Sequence, residues 1–264
     1  MVKKLTQYQI DESIRMYNNG ISSEKIAKKY NVSSVAIRGL LKRRNIKMRD
    51  YSQSKKEYKL KTNFFEKIDT EQKAYWLGFL SADGYYNIKN NELALNLQNK
   101  DKGHMIKFKK SLKTNHKIKS YSYKDISFVK ISIKDIHFTK HLKPFFKKNK
   151  TFTLRFPKIE KELERHFIRG YFDGDGSINQ SKKIKSNIAF TITSNKYFLD
   201  ELRKRLLKIN LNKTKYWVRH KQKPEIVTLT YCGKNNIKKL YDFLYNNSTI
   251  YLKRKKDKFE DILK

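Results

Sequence analysis

Trp76-Leu-Gly-Phe-Leu-Ser-Ala-Asp-Gly84 decides the fold, because the chain repeats nearly the same phrase at Ile168-Arg-Gly-Tyr-Phe-Asp-Gly-Asp-Gly176. The second phrase follows the first by 92 positions (83 to 175). Further echoes come in order. Leu93, Leu95 and Leu97 answer to Ile188, Phe190 and Ile192, an offset of 95 (95 to 190), and Thr151-Phe-Thr-Leu-Arg answers to Thr249-Ile-Tyr-Leu-Lys, an offset of 98 (151 to 249). Offsets that drift by a few residues and keep their order mark an internal duplication with small loop insertions. Within the phrases, Gly78 and Ala82 stand four apart, as do Gly170 and Gly174, so each pair lies on one helical face. Faces without bulk let two helix backbones approach closely, and the packing then brings Asp83 and Asp175 together at the C-terminal ends. A carboxylate there opposes the helix macrodipole, and two converging carboxylates oppose each other. A divalent cation between them removes that cost, and hard oxygen ligands beside a phosphate favour Mg²⁺, with Mn²⁺ as a substitute.

Outward from these helices, each copy reads as helix, hairpin, helix, hairpin, helix. The first copy spans about 70–82, 85–99, 102–112, 116–134 and 135–147; the second about 160–174, 177–194, 196–209, 213–232 and 234–246. The strands alternate apolar with polar, as in Phe128, Ile131 and Ile133 among Lys130, Ser132 and Lys134. A sheet of this kind packs one face under helices and leaves the other polar and basic, a saddle for a duplex. The fold class is therefore α+β: two pseudo-symmetric αββαββα repeats, preceded by a small all-α unit.

That unit occupies residues 5–46 and reads as three short helices. The first runs from Thr6 to Tyr17 with Ile10, Ile14 and Tyr17 inward, and stops at Asn18-Asn19-Gly20. The second starts at Ser22 or Ser23 and turns Ile26, Ala27 and Tyr30 inward; the third starts at Ser33 or Ser34 and turns Ile37, Leu40 and Leu41 inward. The segment 20–42 resembles the helix-turn-helix of site-specific recombinases and small repressors, a motif whose last helix enters the major groove. That resemblance makes Ser34, Arg38, Lys42 and Arg43 the candidate DNA contacts. Residues 47–62 show no sustained period and read as a basic tether. The expected organisation is 1–50 helix-turn-helix, 51–62 linker, 63–157 first repeat and 158–264 second repeat.

Composition narrows the partners. Lys and Arg number 62 against 25 Asp and Glu in 264 residues, a formal charge of +37. Such an excess calls for a polyanion, and nucleic acid releases condensed counterions as each phosphate is neutralised. The lysines are spread along the chain rather than gathered on one amphipathic helix, which disfavours a membrane surface. The longest apolar run, Ala74 to Leu80, is far short of the roughly 20 residues a span needs. The start carries no signal-peptide apolar region, and the single Cys232 excludes a disulfide framework and a cysteine zinc site. The expectation is an intracellular protein located with DNA, in a bacterial or phage cytoplasm or an organelle.

The paired phrases resemble the two signature helices of the LAGLIDADG homing endonucleases, in the single-chain form with two repeats; the resemblance covers 63–264. It implies a site-specific endonuclease that hydrolyses one phosphodiester per strand of a long asymmetric double-stranded site, with Mg²⁺ or Mn²⁺, as a monomer. Carried over by position, Asp83 and Asp175 are the catalytic metal ligands, and the carbonyls of Ala82 and Gly174 complete the coordination. Gly78 and Gly170 form the helix interface. The family's basic residue at the end of the second hairpin falls on Lys134, and in the second copy on Cys232 or Lys234. Its assisting polar residue falls on Gln98 or Asn99, and on Thr193 or Ser194. The basic tail with Lys253, Arg254 and Lys255 is like the family's phosphate-contacting C-terminal element. Ser81 departs from the acidic residue kept at Asp173, a position that does not carry metal in the family. Because the family includes intron RNA maturases, intron RNA is an alternative partner; a non-cleaving transcription regulator on the same fold is the other alternative.

Two further motifs fail. Asp173-Gly-Asp-Gly-Ser-Ile-Asn179 opens like a calcium-binding loop, but Ile178 stands where the turn glycine belongs and Ile184 where the closing glutamate belongs. His137 and His141 share a helical spacing without the intervening Glu or third ligand of a zinc site.

Overall fold

In the computed structural model, residues 5–48, 58–181, 187–211, 215–218 (as backbone) and 225–264 are described. The expected linker lies largely outside the described residues, as does the tip of the last hairpin. The chain divides between Lys59 and Leu60 into two compact units.

The first unit contains α1 (Gln7–Asn18), α2 (Ser23–Tyr30) and α3 (Ser34–Arg43). Each start is fixed by a hydroxyl: Thr6, Ser22 and Ser33 accept from the backbone N–H three residues on, and Gln9 completes a capping box with Thr6. Asn31 ends α2 in the left-handed region, and Gly20 turns the chain after α1 with φ +92°. Tyr17, Ile26, Ala27, Tyr30, Ile37 and Leu41 form its core.

The second unit is built twice. The first repeat runs α4 (Glu71–Asp83), β1 (Gly84–Asn87), β2 (Glu92–Gln98), α5 (Lys102–Ser111), β3 (Lys119–Tyr123), β4 (Ile126–Lys134) and α6 (Ile136–Thr139). A short helix α7 (Lys150–Thr153) leads to the second repeat: α8 (Lys161–Asp175), β5 (Ser177–Gln180), β6 (Ile188–Asn195), α9 (Lys196–Leu206), β7 (Lys215–Val218), β8 (Ile226–Cys232) and α10 (Lys234–Tyr245). A final helix α11 (Lys253–Leu263) follows. Each sheet is antiparallel with the same strand order, β1-β2-β4-β3 and β5-β6-β8-β7. One core fills the space between sheets and helices, from Phe65 and Trp76 to Leu240 and Phe259.

The duplication is thus an architectural fact, with small corrections in register. Tyr85 pairs with Ala94 and Ser177 pairs with Thr191, so the second strands correspond at an offset of 97 (94 to 191), two residues from the offset read in the sequence. A shift of two keeps the same residues inward, which is why the sequence pattern looked right. On β4 the buried residues are Val129, Ile131 and Ile133. Phe128 instead lies on the polar face, stacked on Tyr121 with ring centroids 5.5 Å apart. The helix expected over 135–147 is broken: α6 passes into a 3₁₀ turn at Lys140–Leu142, and Pro144 prevents a continued ladder.

Candidate active site

The two motif helices pack along their glycines. A Cβ on Gly78 would lie 2.0 Å from the Phe167 carbonyl oxygen, and one on Gly170 would lie 2.0 Å from that of Tyr75. The backbones therefore touch with nothing between them. At the ends of the helices, a Cβ on Gly174 would lie 2.4 Å from the Ala82 Cβ and 3.5 Å from the Asp83 carboxylate. Asp83 consequently stands against the other helix, and both Asp83 and Asp175 remain accessible. Loss of solvent in this hollow, and then the facing charge of Asp175, push the Asp83 carboxyl up to about 6.

Two lysines complete the seam: Lys150, to which the sequence assigns no role, and Lys255, which the sequence places in a phosphate-contacting tail. Lys150 donates to the carbonyls of Leu80 (3.2 Å), Ala82 (2.7 Å) and Gly84 (2.7 Å). Lys255 donates to those of Phe172 (2.6 Å), Gly174 (3.2 Å) and Gly176 (2.5 Å). The two sets of acceptors match one for one at the motif offset of 92. Each ammonium therefore caps the C-terminal end of a motif helix and offsets the macrodipole beside its aspartate. The electrostatic cost that the sequence reading met with a cation alone is shared with these two groups. Burial lowers both lysines to about 8, against the opposing pull of Asp83 and Asp175 on Lys150 and of Asp173, then Asp83 and Asp175, on Lys255.

The lysines lie 105 positions apart (150 to 255), whereas the echo between Thr151 and Thr249 runs at 98. That echo is not the structural correspondence. The usable signal was simpler: each repeat closes on an apolar anchor followed by a lysine run, Phe145-Phe146-Lys147-Lys148-Asn149-Lys150 and Tyr251-Leu252-Lys253-Arg254-Lys255.

Other expected site residues fall in several places. Lys134 is exposed at the far end of its sheet, paired with Glu92 and level with Asn87, four residues along from Asp83. At about 3.3 Å per residue that is roughly 13 Å from the level of the acid. The structure does not bring Lys134 to the carboxylates, because the second hairpin runs away from the seam. Its counterpart by register is Cys232, paired with Ala189. Gln98 is exposed at the end of β2 that passes the start of β1, on the side of the motif helix. In the tail, Lys255 is 7% exposed and turned inward, which corrects the expectation that it meets phosphate from the surface. Arg254 is held by Asp101 at 2.9 Å, and Lys253 is exposed beside Asp257 at 2.6 Å. On α3, Arg38, Lys42 and Arg43 are exposed and Ser34 is half-buried.

Beside Asp175 the surface opens into a hollow of about 430 Å³, lined by Lys150, Tyr171, Ser177, Thr191 and Thr193 among others. Hydroxyls dominate it: Ser177 bonds Thr191 at 2.7 Å and Thr193 bonds Thr228 at 2.9 Å. The corresponding positions in the first repeat are Tyr85, Ala94, Asn96 and Lys130. Among the described residues no group of three or more His, Cys, Asp or Glu side chains gathers to hold a metal. Nor is any helix long and apolar enough to cross a membrane.

Known proteins support the architecture. Residues 162–244 match the model of the LAGLIDADG-like domain. No curated protein matches the chain. Among solved structures, the LAGLIDADG meganuclease I-AabMI bound to uncleaved DNA is similar at 15% identity and a TM-score of 0.50, over 74% of this chain and 89% of that one. The meganuclease I-SmaMI bound to uncleaveable DNA gives 15% identity and 0.48 over 71% and 88%. A structure of mesophilic variants of the homing endonuclease I-DmoI gives 15% and 0.48 over 76% and 99%. With a LAGLIDADG-like domain in its second repeat and the same element order in its first, the core of this chain has the fold of the LAGLIDADG homing endonucleases.

Proposed function

We propose that the protein is a site-specific double-strand DNA endonuclease that hydrolyses one phosphodiester in each strand. The observation that carries this reading is the seam itself: two aspartates meet at the ends of glycine-packed helices, each with an ammonium group against its own helix end. The DNA held by the similar meganuclease structures and the +37 charge point to the same substrate.

The carboxylate pair fits a hard divalent cation, Mg²⁺ or Mn²⁺. Asp83 is raised to about 6 by lost solvent and by Asp175, a cost that a cation relieves. Asp83 and Asp175 would hold the ion, and phosphate oxygens and water would supply the rest of a shell that Mg²⁺ commonly leaves unfilled by protein. The carbonyls of Ala82 and Gly174 each accept one lysine bond and keep a second lone pair for that shell. When bound, the ion lowers the pKa of water and offsets charge on the leaving oxygen. The chain supplies the remaining electrostatics. Lys150 and Lys255, mostly protonated at neutral pH, stand beside the acids and stabilise the negative charge that develops on the phosphoryl group. In this reading they take the role expected of Lys134, which instead meets the duplex farther out on the sheet face, beyond Asn96 and Lys130, while Gln98 meets it nearer the motif helix. Lys253 and Arg254 serve backbone phosphates.

The N-terminal unit, residues 1–50, adds a major-groove contact through Ser34, Arg38, Lys42 and Arg43. The tether over 51–62 raises its effective concentration on the same duplex. The repeats 63–157 and 158–264 each serve one half of an asymmetric site within one monomer. Deleting 1–50 is expected to weaken affinity more than it moves the cut.

The test is incubation of the protein with a plasmid library of the DNA around its own gene, with and without Mg²⁺. A nick or linear product at one place, dependent on the ion, supports the proposal. Binding without cutting would favour a regulator, and preference for intron RNA would favour a maturase.

A further inference from the structure

The lysines at the two helix ends make matching bonds, yet the chain holds them in place by unrelated means. The segment before Lys255 is tied to the motif helices by charged side chains. Asp173 is fully buried and accepts from the Leu252 N–H (2.7 Å), the Tyr75 hydroxyl (2.8 Å) and the Tyr245 hydroxyl (2.6 Å). One turn earlier Arg169, also fully buried, donates to the carbonyls of Ile250 (2.9 Å) and Leu244 (2.8 Å) and to Glu71 (2.6 Å). Glu71 in turn accepts from the Thr249 N–H at 2.8 Å and its hydroxyl at 2.9 Å.

None of this recurs at Lys150. The residues at the positions of Asp173 and Arg169 in the first motif helix are Ser81, whose hydroxyl bonds back to the Leu77 carbonyl at 2.8 Å, and Leu77 itself. The helix that bears Lys150 is instead held by Asn195, at the end of β6 in the other repeat. Its amide donates to the carbonyls of Thr151 (3.1 Å) and Leu154 (3.2 Å) while its Oδ1 caps α9 at the Phe198 N–H (3.0 Å). Asn195 is 1% exposed, so these bonds have no competition from water.

We propose that Asp173 and Asn195 are positioning residues, each dedicated to one lysine: Asp173 sets Lys255 through the Leu252 N–H, and Asn195 sets Lys150 through the Thr151 and Leu154 carbonyls. The departure of Ser81 from the acidic residue kept at Asp173 is then a division of labour. Each half of the seam carries its own adjustment, and loss of one anchor slows the cut of one strand while sparing the other. This last consequence rests on the endonuclease reading; the anchoring does not.

The experiment compares the full-length wild type with Asp173→Asn and Asn195→Ala by hydrogen exchange, reading the segments 246–256 and 146–155 separately. Asp173→Asn keeps the volume but removes the charge and turns one of the two acceptor oxygens into a donor, so the Leu252 N–H and the Tyr75 and Tyr245 hydroxyls can no longer all be accepted. Exchange in 246–256 is expected to quicken about tenfold, with 146–155 unchanged, and Asn195→Ala is expected to give the converse. Tyr245→Phe, which removes a single donor to Asp173, gives a smaller change in the same segment and stands in if Asp173→Asn does not fold. Equal change in both segments, or none in either, overturns the proposal. On a plasmid bearing the cleaved site, strand-resolved cutting should show a nicked product accumulating for each variant, in opposite strands. Equal slowing of both strands overturns the strand-specific role. Because hydrogen exchange needs no DNA, failure of the nuclease reading and failure of this inference are told apart.

Discussion

The two repeats share a topology and differ in what they present. The first sheet turns Asn96, Lys130 and Lys119 outward in one row and Gln98, Phe128 and Tyr121 in the next, with exposed Tyr85 and Tyr123 nearby. The second turns out Thr191 beside Thr230 and Thr193 beside Thr228, with Ser177 bonded across to Thr191. Long cationic side chains reach phosphate and guanine edges; short hydroxyls already bonded to one another reach little beyond their own surface. The backbone of a duplicated fold is thus held by its inward residues, Leu93, Leu95 and Ile131 against Phe190, Ile192 and Leu229, while the outward residues are free to diverge. Among the described side chains, the first sheet is the more cationic on its outward face, and the second lines the hollow beside Asp175 with hydroxyls.

The most damaging test of the shared part is Gly78→Ala or Gly170→Ala. Each added methyl meets a backbone carbonyl at 2.0 Å, which no rotamer relieves. A loss of about 3 kcal/mol or more, read by denaturant unfolding, is expected from either change. Near-normal stability in one would mean that the helices do not depend on backbone contact along their whole length.

Acid tests a buried ring next, although burial also lowers His166 in the second repeat, to about 4. His104 is buried under the first sheet against Tyr75, and burial, with the Lys107 and Arg254 charges, holds it down to about 3. The unfolded chain protonates this ring near 6.5 and the folded one does not, so its contribution is full above 6.5 and is lost as pH falls toward 3. The corresponding layer of the second repeat is apolar, with Phe198, Leu199 and Leu202. His104→Phe should therefore remove a few kcal/mol of acid destabilisation, visible as a flatter plot of stability against pH. An unaltered plot would assign acid sensitivity elsewhere.

The outward faces predict a smaller difference. Lys130→Gln should weaken DNA binding by about 1 kcal/mol and lower the salt dependence by about one counterion, while Thr228→Ala should do neither. Equal effects would erase the distinction between a cationic and a hydroxyl-lined sheet. Smallest of all, Gly103→Ala adds a methyl into open space within α5 and should stabilise the first repeat by about 0.5 kcal/mol.

What the sequence made legible follows from where the constraints act. Gly78, Ala82, Gly170 and Gly174 declare a bare helix face by spacing alone, and the acids follow from the direction of the helices. The helix-capping role of Lys150 and Lys255 is hidden because their partners are backbone carbonyls, which every residue has. The loops between them and their motifs also differ in length, so no fixed offset points to them. Lys134 looked right for the opposite reason: it ends an alternating strand at the expected place, but strand direction carries it away from the seam. The departure of Ser81 from the acid kept at Asp173 is plain in the motif, but only the three donors to Asp173 reveal what that acid holds.

The central claim is that Asp83 and Asp175 act as a pair on DNA, and the direct measurement is cleavage and binding by Asp83→Asn and Asp175→Asn on the same plasmid substrate. Loss of double-strand cutting in each, with affinity within a few fold of wild type, is the predicted result. Full cleavage by either variant would contradict it.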